Sequence, residues 1–118
     1  MKEPGPAHPI TITPHPRPVR VRLGGRVVAE TRRALKLCEA GYDPVLYLPR
    51  EDVAADALAP NPRRTFCPYK GEAFYLDLSV GGATQEAAAW SYENPFPAVA
   101  RIRGHVAFYP DRVDAIEA

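Results

Sequence analysis

Residues 19–30 read Val19-Arg20-Val21-Arg22-Leu23-Gly24-Gly25-Arg26-Val27-Val28-Ala29-Glu30. Val19, Val21 and Leu23 alternate with Arg20 and Arg22, the period of a strand that buries one face and wets the other. Gly24-Gly25 tolerates the positive φ values that a two-residue hairpin turn demands, and the strand pattern resumes at Arg26. The spacing therefore predicts a β-hairpin, and similar punctuation recurs downstream. Val45-Leu46-Tyr47-Leu48 reads as a short apolar strand stopped by Pro49. From Phe74 to Val80, Phe74, Leu76 and Leu78 alternate against Tyr75 and Asp77, and Gly81-Gly82 closes the run. Trp90 and Tyr92 mark another strand before Pro95 and Pro97. Val99 to Tyr109 reads as the last long strand, with Ala100, Ile102, Val106 and Phe108 on one face and Arg101, Arg103, His105 and Tyr109 on the other.

Two segments are less one-sided. From Thr31 to Ala40, Ala34, Leu37 and Cys38 fit a helical stripe while Leu35 and Leu37 fit a strand; turn plus strand is the favoured reading. Asp52 stands as an N-cap before Val53, Ala54, Ala57 and Leu58 at helical spacing, which predicts one short helix ended by Pro60. Several short strands with a single short helix argue a mainly-β sandwich or barrel over a βαβ sheet.

The chain has 118 residues, enough for one domain with a modest core. Six of its 14 prolines precede Val19, so residues 1–16 form a non-helical, Pro-rich extension. Ile10 and Ile12 are expected to pin it as an edge strand, with its first few residues mobile. Residues 17–118 form the single mainly-β domain. Lys plus Arg total 15 against 14 for Asp plus Glu, so charge gives no clear nucleic-acid signal. No run of about 18 apolar residues could span a bilayer, and the Pro-rich start has no signal-peptide h-region. A soluble cytoplasmic protein without a membrane role is expected. Cys38 and Cys67 are too few for a disulfide framework and form no C-x-x-C pair, so reduced thiols are expected.

The densest polar constellation is Thr65-Phe66-Cys67-Pro68-Tyr69-Lys70-Gly71. Pro68 biases Cys67 toward extended backbone and Gly71 permits a tight turn, so a thiol, a phenol and an ammonium leave one corner. Cys67 is the candidate nucleophile, activated by Lys70 or protonated His105; the plainer reading is a cysteine packed beside a turn. Lys70 could instead hold an anion as a point charge. Tyr47, Tyr69, Trp90, Tyr92 and Tyr109 could line a pocket, although aromatics in a small β-protein more often form its core. No phosphate-binding glycine loop is present, Glu51 and Asp52 are adjacent rather than spaced for magnesium, and no His/Cys pair has metal-ligand spacing. No cofactor or metal is expected.

The runs Thr65-x-Cys67-Pro68-Tyr69-Lys70-Gly71-x-Ala73, Pro49-Arg50-Glu51-Asp52-Val53, Ala89-Trp90-x-Tyr92 and Gly104-His105-Val106-Ala107-Phe108-Tyr109-Pro110 together resemble the bacterial family called domain of unknown function 427. The resemblance runs from about His8 to Asp114, and the family also carries the label nucleotidyltransferase-like. It implies a small single-domain β-barrel or tent of the Mss4-like kind. Relatives of that fold commonly hold zinc on paired cysteines, which this chain lacks. The family pattern points to Tyr47, Arg50, Asp52, Cys67, Tyr69, Lys70, Trp90, Tyr92, His105 and Tyr109. The expectation is a domain that binds a small anionic or aromatic ligand near Cys67–Gly71. The rivals are an enzyme, nucleotidyltransferase-like or dependent on Cys67, and an interaction module using a strand edge, including as a homodimer.

Overall fold

A computed structural model describes residues 1–118. Its strands are β1 (Ile10–Pro14), β2 (Val19–Leu23), β3 (Arg26–Thr31), β4 (Leu35–Glu39), β5 (Val45–Pro49), β6 (Leu58–Cys67), β7 (Gly71–Val80), β8 (Ala83–Ser91), β9 (His105–Phe108) and β10 (Ala115–Glu117). They form a seven-stranded antiparallel sheet in the order β1-β4-β5-β9-β8-β7-β6 and a three-stranded sheet in the order β10-β2-β3. β1 and β6 are the two edges of the larger sheet, so its strand pairing is open rather than closed into a ring. No helix is long and apolar enough to cross a membrane.

The β2–β3 hairpin forms as its alternation requires. Leu23 pairs with Arg26 across Gly24 and Gly25, whose φ values of 59° and 78° make the twisted two-residue turn that antiparallel strands prefer. Gly81 and Gly82 do the same between β7 and β8. Val19, Val21 and Leu23 are buried while Arg20 and Arg22 point to solvent and pair with Glu30 and Glu117.

The larger sheet is buried on both faces, and residue parity sorts its side chains between them. Leu48, Leu76, Leu78, Ala89, Val106 and Phe108 face the small sheet and meet Val19, Val21, Val28 and Ala29 in the main core. Tyr47, Ala73, Tyr75 and Ala107 face the other way, into a second core with Leu37, Tyr92, Val99 and Ile102. This second, tyrosine-rich face carries the site.

Three expectations need correction or extension. The predicted helix after Asp52 is absent: short 3-10 turns at Arg50–Asp52 and Ala55–Ala57 stand there instead. Val53 bridges Ala29, the Ala54 amide donates to Val28 at 2.8 Å, and Leu58 already pairs with Leu78, so tertiary partners claim the backbone before a helix can propagate. Asp52 caps nothing; it accepts from the Thr31 hydroxyl at 2.7 Å and meets Arg33 at 3.4 Å. The strand expected over Val99–Tyr109 is likewise shorter. Pro97 opens a 3-10 segment that runs to Ile102, Gly104 turns at φ 71°, and only His105–Phe108 joins the sheet. Val99 and Ile102 thereby plug the second core rather than extend a strand. At the N-terminus, β1 pairs with β4 as the edge strand expected, but the preceding residues are also tied down. The Lys2 amide donates to the Pro68 carbonyl at 2.7 Å, and Gly5 and His8 bridge each other.

Candidate functional site

One cross-strand row builds the site. Leu35 pairs with Tyr47, Ala107 with Trp90, and Trp90 with Tyr75, while Ala107 lies one position beyond the Leu48–Val106 pair that joins β5 to β9. The row thus reads Tyr47, Ala107, Trp90, Tyr75, with one methyl set between large rings. Ala107 is itself fully buried in the second core, and the rings on either side of it line one hollow. A cavity of about 370 Å³ opens here, lined by Leu37, Glu39, Tyr42, Asp43, Val45, Tyr47, Cys67, Lys70, Tyr75, Trp90, Tyr92 and Tyr109.

The rings are fixed by one another. The Trp90 indole donates to the Tyr47 hydroxyl at 3.3 Å, and the two rings stand at 87°. Trp90 packs on Tyr109 with centroids 4.4 Å apart. The Tyr109 hydroxyl donates to that of Tyr75 at 3.4 Å, and Tyr75 also meets the Thr65 hydroxyl at 2.9 Å. The Tyr92 hydroxyl makes no hydrogen bond to protein and is not sealed from solvent, which leaves it free on the cavity wall. Burial pushes the Tyr47 and Tyr92 phenols well above their ordinary range; for Tyr47 the Trp90 hydrogen bond opposes this and the Glu39 charge adds to it. Burial, then the bond to Tyr75, pushes Tyr109 up to about 12. All three are neutral hydroxyls at physiological pH.

At the opposite wall, Lys70 does not stand free. Its ammonium donates to Glu39 Oε1, and His8 Nε2 meets Glu39 Oε2 at 2.6 Å. The Lys70 and Glu39 side chains are 12% and 10% exposed, so the pair is largely withdrawn from water. Burial pushes the Glu39 carboxyl up, but the hydrogen bonds from Lys70 and His8, with the attraction of both, outweigh it and hold the carboxyl below its ordinary value. The His8 ring lies flat on Tyr69, 3.9 Å between centroids and 6° between planes. The Pro-rich leader therefore clamps the Cys67–Gly71 corner from outside. Gly71 permits the corner: its φ of 108° is closed to other residues, and the Phe96 amide bonds the Lys70 carbonyl at 3.0 Å.

Of the residues singled out from sequence, Tyr47, Cys67, Lys70, Trp90, Tyr92 and Tyr109 meet in this cavity. Tyr69 lies outside it against His8. Arg50 pairs with Glu93 at 3.5 Å and His105 Nδ1 donates to the Arg103 carbonyl at 3.0 Å, both away from the cavity. Sequence reasoning missed Leu37, Glu39, Tyr42, Asp43, Val45 and Tyr75. Tyr75 had a usable signal, because its alternation against Leu76 and Leu78 marks a tyrosine on the face away from the main core. Glu39 had none, since its partners lie 31 residues away on either side. Both cysteines are free, and no group of three or more His, Cys, Asp or Glu side chains assembles into a metal-binding set.

A second, more apolar hollow of about 500 Å³ lies beyond Trp90, between Pro44, Leu46, Leu48, Phe108 and Ile116; Asp43, Val45 and Trp90 border both.

Fold and site together define a small mainly-β domain of two packed antiparallel sheets with an aromatic-walled cavity on the outer face of the larger one. The chain belongs to the family described as domain of unknown function DUF427 (NTP_transf_9), whose model matches residues 11–118. No curated protein matches it.

Proposed function

We propose that this domain binds a small organic molecule in the cavity between Tyr47, Trp90, Tyr92 and the Cys67–Gly71 corner. The observation that carries the reading is the cavity wall itself: Tyr47, Trp90, Tyr109 and Tyr75, rings that brace one another by hydrogen bonds and ring contacts, line a preformed, mostly apolar hollow with a few fixed hydroxyls, the usual composition of a ligand site. Of the two ligand characters expected, apolar or aromatic contact has the better support. An anion would have to compete with Glu39 for Lys70.

A Cys67-dependent enzyme is a second reading, supported by the placement of Cys67 on the cavity wall. Nucleotidyl transfer has less support. Lys70 and Asp52, the residues it would draw on, line different hollows. Pairing of copies through a strand edge is disfavoured by Pro60 and Pro62 on β6, which remove donors from one edge. Kinship with the Mss4-like tent folds, and residence in the cytoplasm, are part of the same proposal and rest on the family resemblance and the composition.

Trp90 is the only tryptophan and Cys67 lines the same cavity, so the protein reports its own occupancy. In a Cys38→Ser background, a panel of small aromatic alcohols, amines and carboxylates should contain members that change Trp90 emission saturably and slow alkylation of Cys67 by iodoacetamide. If no member does either at millimolar concentration, the binding reading fails.

A further inference from the structure

We propose that the ligand is an organic cation, an alkyl- or arylammonium compound, seated against Tyr47, Trp90 and Tyr92 with Asp43 as its counter-charge at the rim. This names the ligand class of the cavity and rests on the binding reading above.

The first support is the charge around the hollow. Its ionisable walls are Glu39, Asp43, Lys70 and Cys67, together with the tyrosines. Lys70 and Glu39 cancel each other. Asp43 is exposed at the rim and belongs to no ion pair, so the one uncompensated formal charge facing the hollow is negative. An anionic ligand would meet that charge and would have to break a withdrawn pair to reach Lys70. A cationic ligand meets Asp43 and breaks nothing.

Ring geometry is the second support. A flat neutral ring is best held in a slot between two parallel faces. Tyr47 and Trp90 instead pack edge to face at 87°, with centroids 6.3 Å apart, and form no slot. The parallel pair that does exist, Tyr75 and Tyr109 at 10°, has its hydroxyls joined at 3.4 Å and leaves no slot. A rounded ammonium head needs no slot, because its charge is attracted by any single electron-rich ring face it reaches. The protein already uses that attraction on the outer wall of the same cluster, where the Arg63 guanidinium lies 4.8 Å from the Tyr75 centroid.

The test compares benzyltrimethylammonium, benzyl alcohol and benzoate, each titrated into the full chain by calorimetry with Trp90 emission and Cys67 protection as second readouts. Benzyltrimethylammonium should bind about tenfold tighter than benzyl alcohol, with benzoate weakest. Asp43→Asn, at an exposed position, should lower the affinity for benzyltrimethylammonium about threefold to tenfold and leave that for benzyl alcohol unchanged. Equal affinity for the cation and the alcohol, or tightest binding of benzoate, would overturn the cation assignment and leave small-molecule binding standing. Failure of all three probes together with the broader panel would overturn both.

Discussion

Glu39 holds two side chains at once: Lys70 on Oε1, from the corner after β6, and His8 on Oε2 at 2.6 Å, from the leader. Three segments distant in sequence are locked through one carboxylate that is only 10% exposed. Removing its charge should cost more than a surface ion pair would, because Lys70 is then withdrawn from water without a partner. Glu39→Gln is expected to lower stability by about 2 kcal/mol, and the double variant Glu39→Leu with Lys70→Met by less. Urea denaturation of the three proteins checks the order.

The same carboxyl sets part of the acid response. Its native value lies below the ordinary 4.5, so the folded form binds its proton less readily than the unfolded chain does. The stability this gives is complete above the ordinary value and is lost as pH falls through the lower native one. Melting temperature should therefore drop as pH falls below about 4.5, and Glu39→Gln should flatten that decline relative to its own value at pH 7. Melting scans from pH 7 to pH 3 would decide; parallel profiles for the two proteins would refute the assignment.

Gly71 carries the corner on a φ of 108°, and a Cβ there would sit 3.4 Å from the Asn94 carbonyl oxygen. Gly71→Ala puts a side chain on a strained φ that L residues rarely adopt and should cost about 1–3 kcal/mol. Because the Lys70 carbonyl and Phe96 amide bond across this point, iodoacetamide should also reach Cys67 faster in the variant.

Ala87 holds a left-handed φ of 49° inside the irregular stretch between β7 and β8, where its amide donates to Asp77 Oδ1 at 2.8 Å. Ala87→Gly is expected to stabilise the protein by about 0.5–1 kcal/mol, since glycine accepts this conformation without the Cβ penalty. Asp77→Ala should do the reverse by about 1–3 kcal/mol, because the Ala87 amide and the Asn61 side chain both lose their acceptor. Thermal melts of both variants suffice.

Where structure was written locally, it was legible. The Gly24-Gly25 and Gly81-Gly82 turns need only two residues with positive φ between alternating strands, and both hairpins stand. Leu35 to Glu39 resolved as a strand because β1 and β5 are there to pair with it. The failures lie where distant backbone outbids local spacing. The helical pattern after Asp52 gave way to bonds with β3 and β7, and the period-two pattern from Val99 gave way at Pro97 and Gly104. The site divides in the same manner. The tyrosines and Trp90 drew attention by type, but which of them share a face depends on strand order, and the pairing of Lys70 with Glu39 across 31 residues has no local trace.

β10 closes the small sheet by pairing Ala115, Ile116 and Glu117 with Arg22, Val21 and Arg20, and Asp114 accepts from the Gly24 amide at 2.8 Å. The β2–β3 hairpin is thus completed by a strand from far along the chain. At ribosomal rates, on the order of 5–20 residues per second, the free edge of β2 waits roughly 5–20 s for that strand to emerge. Closing the small sheet is therefore a long-loop event that follows the hairpin it completes.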